Sequence, residues 1–214
     1  MRLKRRFEGA GLAVRVQRFS TPRGRSRNVI GVRRGGRCLR VVMAHSDTVP
    51  PSPGADDNAS GLGALAELAT RLDAIDPPCT VWLVATGAEE RIYTGSPDHL
   101  GALALTEIVP RRRLRYALSL DEVGRGTRFR LRSPAAAPRR RVERELMRSW
   151  VDWQRDDSTG NSDHREFELA GLRGVKLGVL DEPVRHTAGD TVGRLQRGAF
   201  VRVERLLETV LRRP

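Results

Sequence analysis

Five short segments of this 214-residue chain carry imidazole or carboxylate groups in close succession: His45-Ser46-Asp47, Asp56-Asp57-Asn58, Glu89-Glu90, Asp121-Glu122 and His186. These are the donor types that hold zinc, and paired carboxylates also move protons in hydrolysis. Each segment has a bland explanation when taken singly. A histidine at a strand end is more often a satisfied structural residue. Glu89-Glu90 fits the acidic first turn of a helix, Asp56-Asp57-Asn58 fits a turn, and Asp121 fits a cap. Their common placement is harder to explain as solvated surface, because four of the five follow directly on apolar runs that read as strands, or lie in the loops leaving them.

Those strands are expected at residues 12–17, 28–32, 39–45, 80–85, 116–120 and 175–180, and helices at 60–72, 97–108, 139–153 and 192–211. The Gly35-Gly36 pair reads as a hairpin turn between the second and third strands. The nearly continuous apolar run 80–85 reads as a central strand buried on both faces. In the last helix Val192, Leu195, Ala199, Val203, Leu206 and Val210 share one side. Strands alternating with helices predict an α/β three-layer sandwich whose mixed, mostly parallel sheet is flanked by helices. In such a sheet ligands bind beyond the carboxyl ends of the strands, where the imidazoles and carboxylates fall.

Composition excludes other classes. The net charge is +13, and with only two lysines, Lys4 and Lys176, among 39 basic residues, the rest are 37 arginines. They are spread from Arg2 to Arg213 with modest clusters at 111–113 and 139–141, and aromatics are only 5% of residues, too few to interleave for base stacking. No nucleic-acid partner is expected. No apolar run approaches the roughly 20 residues of a membrane span. The basic N-terminus lacks the apolar stretch of a signal peptide, so the default expectation is cytoplasmic. Cys38 and Cys79 are too few for a disulfide framework; at most they form one bridge, and two buried thiols are the simpler expectation.

The stretches AHSDTVPPSPGADDNASG, ATGAEERIYTGS, SLDEVG, NSDHREFELAG and RHTAGDT resemble, in order, the co-catalytic di-zinc exopeptidases of the aminopeptidase Y and aminopeptidase S type. The resemblance spans nearly all of the chain from Asn28 onward. It implies the zinc-peptidase (phosphorylase/hydrolase-like) fold, a single catalytic domain over residues 1–214, a peptide substrate and two zinc ions. It further implies that Asp57 bridges the metals, with His45 and Asp121 completing one site and Glu90 and His186 the other, and that Glu89 is the general base. Charge supports this set: two zinc ions bring four positive charges, Asp57, Glu90 and Asp121 bring three negative ones, and a shared hydroxide brings the last. Adjacent Glu89 and Glu90 can divide their roles because consecutive side chains leaving a strand point apart.

Asp47 is expected to accept a hydrogen bond from the second nitrogen of His45. The family resemblance implies a cis Asp57-Asn58 peptide and a hydrogen bond from Asp163 into the active site, with His164 supporting a loop. His99 matches no motif and is expected on the surface. Where relatives place a tyrosine beside the last ligand this chain has Arg185, which could donate to an oxyanion or bind a substrate carboxylate. Relatives also carry an N-terminal helical segment, whereas this chain reads as joining the fold at residues 7–17. A start upstream of Met1 would make the protein secreted. The expected function is that of a monomeric zinc aminopeptidase. The alternatives are a single-zinc, glutaminyl-cyclase-like acyltransferase and a non-catalytic basic binding module.

Overall fold

The computed structural model describes residues 2–94, 98–134, 136–146, 149–158, 161–179 and 183–212. Its strands are β1 (Ala13–Thr21), β2 (Gly24–Arg33), β3 (Gly36–His45), β4 (Cys79–Thr86), β5 (Leu114–Leu120), β6 (Phe129–Arg132), β7 (Trp153–Asp156) and β8 (Gly174–Gly178). They form one sheet in the order β1-β2-β4-β3-β5-β8-β6-β7. The central strands β4, β3, β5 and β8 run parallel. Antiparallel pairs β1/β2, β2/β4 and β6/β8 flank them. The helices are α1 (Arg2–Gly9), α2 (Gly61–Ile75), α3 (Arg91–Thr94), α4 (Leu100–Ile108), α5 (Ala136–Leu146), α6 (His164–Leu169) and α7 (Arg197–Arg212).

The period-two geometry of a strand explains why the central sheet reads as solid apolar sequence. Along β3, Val42 and Ala44 pack into a core with Leu65 and Leu72 of α2 and Leu206 and Val210 of α7. Val41 and Met43 point the other way, into a second core with Leu105 of α4 and Phe167 of α6. Burial of each larger side chain contributes about 1.5–3 kcal/mol, so the sheet is pinned from both faces and its carboxyl edge is a firm platform. The mixed, mostly parallel three-layer sandwich is the architecture expected from the sequence.

Local expectations fail where polar composition hid the pattern. Gly35-Gly36 is no hairpin, since β4 lies between β2 and β3. The hairpin joins β1 to β2 instead, pairing Thr21 with Gly24. Strands β6 and β7 were not anticipated: in β6 arginines alternate with Phe129 and Leu131, and β7 has one apolar residue, Trp153, where a helix was expected to end. Val192 and Leu195 lie outside α7, and Val192 is exposed. Residues Arg2–Gly9, where no helix was expected, form an amphipathic helix that buries Phe7 in the first core. Expectations that fall on Gly95-Ser96, Pro97 and Leu180 lie outside the described residues.

The cysteines also differ from expectation: Cys38 and Cys79 form a disulfide between the starts of the adjacent strands β3 and β4. Spacing gave no hint, because the partners meet only through the parallel pairing. The bridge closes a loop with a sequence separation of 41. Restricting an unfolded chain over such a loop stabilises the native state by about 4 kcal/mol in the chain-entropy model. Urea denaturation with and without reductant should therefore show a loss of up to about that size, and the Cys38→Ala/Cys79→Ala variant should match the reduced protein. An unchanged midpoint would show that the bridge carries no stability.

Candidate metal centre

The parallel block delivers its chain ends to one place. Strand β3 ends at His45, β4 ends at Thr86 and leads to Glu89-Glu90, β5 ends at Leu120 with Asp121 next, and the chain beyond β8 reaches His186. Asp57 enters from the loop between β3 and α2. Its Oδ1 lies 3.0 Å from His45 Nε2, which is 3.6 Å from Asp121 Oδ1. Its Oδ2 lies 3.0 Å from His186 Nε2, which is 3.3 Å from Glu90 Oε1. One carboxylate thus faces two separate pairs of donors. Donor atoms of His45, Asp57 and Glu90, and of His45, Glu89 and Asp121, lie within 4.8 Å of one another.

Backbone hydrogen bonds hold these groups in register. The Asp47 carboxylate accepts the amides of Glu89 (3.2 Å) and Glu90 (2.9 Å), clamping the two glutamates to β3. The expected bond to His45 comes from a different atom: Nδ1 of His45 lies 3.1 Å from the backbone carbonyl of Asp47, leaving Nε2 free to face the cleft. Asp190, which the sequence did not single out, accepts the amides of Asp56 and Asp57. Asn58 ties the same loop to the Leu120 carbonyl, and the Asp57-Asn58 peptide is cis as expected. Ala88, Glu122 and His186 adopt positive φ, turning the chain sharply beside the donors. Such conformations are costly for residues with a Cβ and persist only where the surroundings impose them. At Gly178 an added Cβ would lie 1.9 Å from the Asp121 carbonyl, so no larger residue lets β8 come this close.

A layer behind the donors was largely invisible in the sequence. His99 is fully buried, not a surface residue inside a helix. It precedes α4 at positive φ, its amide donates to the Glu89 carbonyl, its Nε2 lies 3.5 Å from Glu89 Oε1 and its Nδ1 lies 3.1 Å from Glu166 Oε1. Asp163 is fully buried and accepts the Thr86 hydroxyl, and its second oxygen has no hydrogen bond. His164 is also buried, at the start of α6. Lys176 places Nζ 2.7 Å from Asp121 Oδ2 and 3.8 Å from Glu122 Oε2. Arg185, half exposed at the rim, lies 3.7 Å from Glu122. Two lysines in a chain of arginines was the only available hint toward Lys176.

Electrostatics record the crowding of acids. Burial pushes Glu89 well above the ordinary carboxylate range, with Asp121, Asp163 and Glu90 adding to it. Burial together with Asp57 raises Glu90 to about 7. Burial, with Asp47 adding, raises Asp163 to about 6. At Asp57 burial is outweighed by hydrogen bonds from His186 and His45, leaving it below its usual value. At Asp121 burial is outweighed by Lys176 and His45, and the carboxyl sits well below. His45 is raised well above its usual value, since Glu89, Asp121 and Asp57 outweigh burial. The donor set is imidazole and carboxylate throughout, and Glu90 Oε1 is buried without a hydrogen bond, so the residues fit zinc.

Comparison with known proteins agrees with this geometry. The sequence model of peptidase family M28 matches residues 28–211. Aminopeptidase YwaD of Bacillus subtilis is 34% identical over 103 residues, which cover 46% of this chain and 22% of the relative. The chain spans only 17% to 41% of the length of the curated relatives it matches. Among solved structures, a leucine aminopeptidase precursor from Bacteroides thetaiotaomicron superposes with a TM-score of 0.84 at 23% identity, covering 100% of this chain and 87% of that one. Tannerella forsythia glutaminyl cyclase superposes at 0.83 with 22% identity, covering 100% and 88%. At these identities the structures share the fold.

The Lys176 ammonium is buried between two carboxylates, and Asp121 and Glu122 outweigh burial to keep it charged. Removing one partner of such a group leaves unpaired charge in the interior, at a cost of about 3–5 kcal/mol. Lys176→Met is therefore expected to lose stability on that scale in chelator, measured by urea denaturation. A loss below about 1 kcal/mol would show that the acids are solvated instead.

Proposed function

The chain belongs to peptidase family M28, and on that footing we propose that it is a zinc-dependent aminopeptidase that hydrolyses the N-terminal residue from a peptide. The observation that carries the reading is the carboxylate of Asp57, each of whose oxygens lies 3.0 Å from a different imidazole with a second carboxylate beside it. Two zinc ions suit the two donor sets, one held by His45, Asp121 and Asp57, the other by Glu90, His186 and Asp57. When bound, zinc supplies Lewis acidity toward the scissile carbonyl and lowers the pKa of attacking water.

The chain's own residues do the rest. Glu89 is the proton carrier, taking a proton from the attacking water and delivering it to the leaving amine. Asp47 fixes the backbone of Glu89, and His99, oriented by Glu166 through Nδ1, faces the Glu89 carboxylate with Nε2 at 3.5 Å. Burial excludes bulk water from Glu89, which is 7% exposed. Arg185 projects from the rim, where its guanidinium can meet the substrate carbonyl or a peptide carboxylate. Asp163 acts at one remove, bracing Thr86 at the end of β4.

A single-zinc acyltransferase of the glutaminyl cyclase kind is the second reading, prompted by the shared fold. The pair of imidazoles on Asp57 favours two metals. We further propose a peptide as the partner and a monomer as the working unit. Among the described residues no helix is long and apolar enough to cross a membrane. The Cys38–Cys79 disulfide supports an oxidising compartment over the cytoplasmic default.

Metal analysis after dialysis should find two zinc per chain, and aminoacyl-amide hydrolysis should vanish in chelator and return with zinc. Glu89→Gln is expected to keep both metals and lose roughly 10²–10⁴ of kcat. One zinc with cyclisation of N-terminal glutamine would favour the second reading, and full activity in chelator would sink both. His99→Ala should lower kcat about tenfold or more with KM and zinc content unchanged, and His99→Gln should recover part of it. Equal losses in stability and in every kinetic constant would reduce His99 to a packing role.

A further inference from the structure

At the opposite end of the sheet from the donors, six arginines converge on one cavity of about 610 Å³. Arg37 comes from the start of β3, Arg111, Arg112 and Arg113 from the turn before β5, Arg115 from β5 itself, and Arg173 from the residue before β8. They are six of the ten lining residues, against 37 of 214 in the chain, and no acidic residue lines the cavity. Four of the six fall within residues 111–115, and the parallel order β3-β5-β8 brings Arg37 and Arg173 to join them.

Two of the six side chains are tied to the backbone. Arg113 donates to the carbonyls of Arg37 (2.6 Å) and Gly36 (3.4 Å), and Arg111 donates to the carbonyl of Ala170. The Cys38–Cys79 bridge anchors the chain beside Arg37. Nε of Arg115 is buried and has no hydrogen bond. None of the six has an acidic side chain within ion-pair distance among the described residues, so the fold gathers like charges without internal compensation.

We propose that this cavity binds a multiply charged oxyanion of the oligophosphate class. Planar guanidinium forks match phosphate oxygens two at a time, which point cations cannot do. The volume falls within the range of small-ligand sites, about 300–1,000 Å³. No aromatic ring lines the cavity, so a nucleobase has nothing to stack on and the phosphate chain alone is recognised. A concave site suits a free oligophosphate better than the flat plane of lipid headgroups. Arg37 and His45 stand at opposite ends of β3, about 26 Å apart at about 3.3 Å per residue, so this site is separate from the metal centre.

The test is calorimetric titration of the zinc-loaded protein with sodium tripolyphosphate. Wild type should bind one equivalent saturably. Arg112→Glu/Arg173→Glu should bind at least tenfold more weakly. Neither side chain donates a hydrogen bond among the described residues, and circular dichroism will verify the fold. Arg205→Glu, on the exposed face of α7, should bind within twofold of wild type. Any metal drawn off by tripolyphosphate affects all three proteins alike and cancels in the comparison. Parallel sedimentation with phosphatidylglycerol vesicles and titration with single-stranded RNA should show weaker association that tripolyphosphate displaces. Equal weakening in Arg205→Glu, absence of saturation, or vesicle or RNA binding that tripolyphosphate leaves untouched overturns the proposal.

Discussion

Four carboxylates that must not be together shape the carboxyl end of this sheet. Asp57, Glu89, Glu90 and Asp121 are all less than a tenth exposed, and they surround two imidazoles. Buried like charges of that density repel one another strongly, and Glu89, Glu90 and His45 all sit above their ordinary pKa values. Zinc relieves the same repulsion with more charge in less space. The Lys176 ammonium relieves one corner permanently. Its Nζ lies 2.7 Å from Asp121 Oδ2 and 3.8 Å from Glu122 Oε2, and it belongs to one of only two lysines in a chain that otherwise uses arginine.

A site under such repulsion would splay apart if side chains alone held it. The structure ties the backbone instead. Asp47 gathers the amides of Glu89 and Glu90, and Asp190 those of Asp56 and Asp57. Each carboxylate accepts two main-chain donors and thereby fixes the direction of side chains it never touches. The positive-φ turns at Ala88, Glu122 and His186 serve the same end, since an extended chain would carry those residues past the cleft. The strands beneath are rigid because they are buried on both faces, so small local turns suffice to set the donor positions.

This division explains what was legible in the sequence. The central strands were readable because burial on both faces leaves an unbroken apolar run, and the donors were readable because chemistry demands their residue types. The supports were not. Asp190 resembles any loop aspartate, and His99 sits in a helical-looking stretch whose burial depends on α6 packing opposite it. The carbonyl of Asp47, not its carboxylate, meets His45, a choice that residue identity cannot encode. Strands β6 and β7 are four residues each and half or more polar, so only the pairing of β6 with β8 and of β6 with β7 reveals them. Cys38 and Cys79 meet because β3 and β4 are parallel neighbours.

The charge excess then has a spatial meaning. A cationic ligand approaching a protein of net charge +13 would be repelled if that charge acted as a whole. At physiological ionic strength exposed charges act over about 8 Å, and the arginine-lined cavity lies about 26 Å away along β3. Near the cleft the balance is local: the acids of the donor set face Lys176, Arg185 and, beside Asp56, Arg125. The sheet therefore separates two electrostatic environments, an acidic end that concentrates cations and a basic end that concentrates anions. Parallel strand order produces both, because it brings the starts of β3, β5 and β8 together at one edge as surely as it brings their ends together at the other.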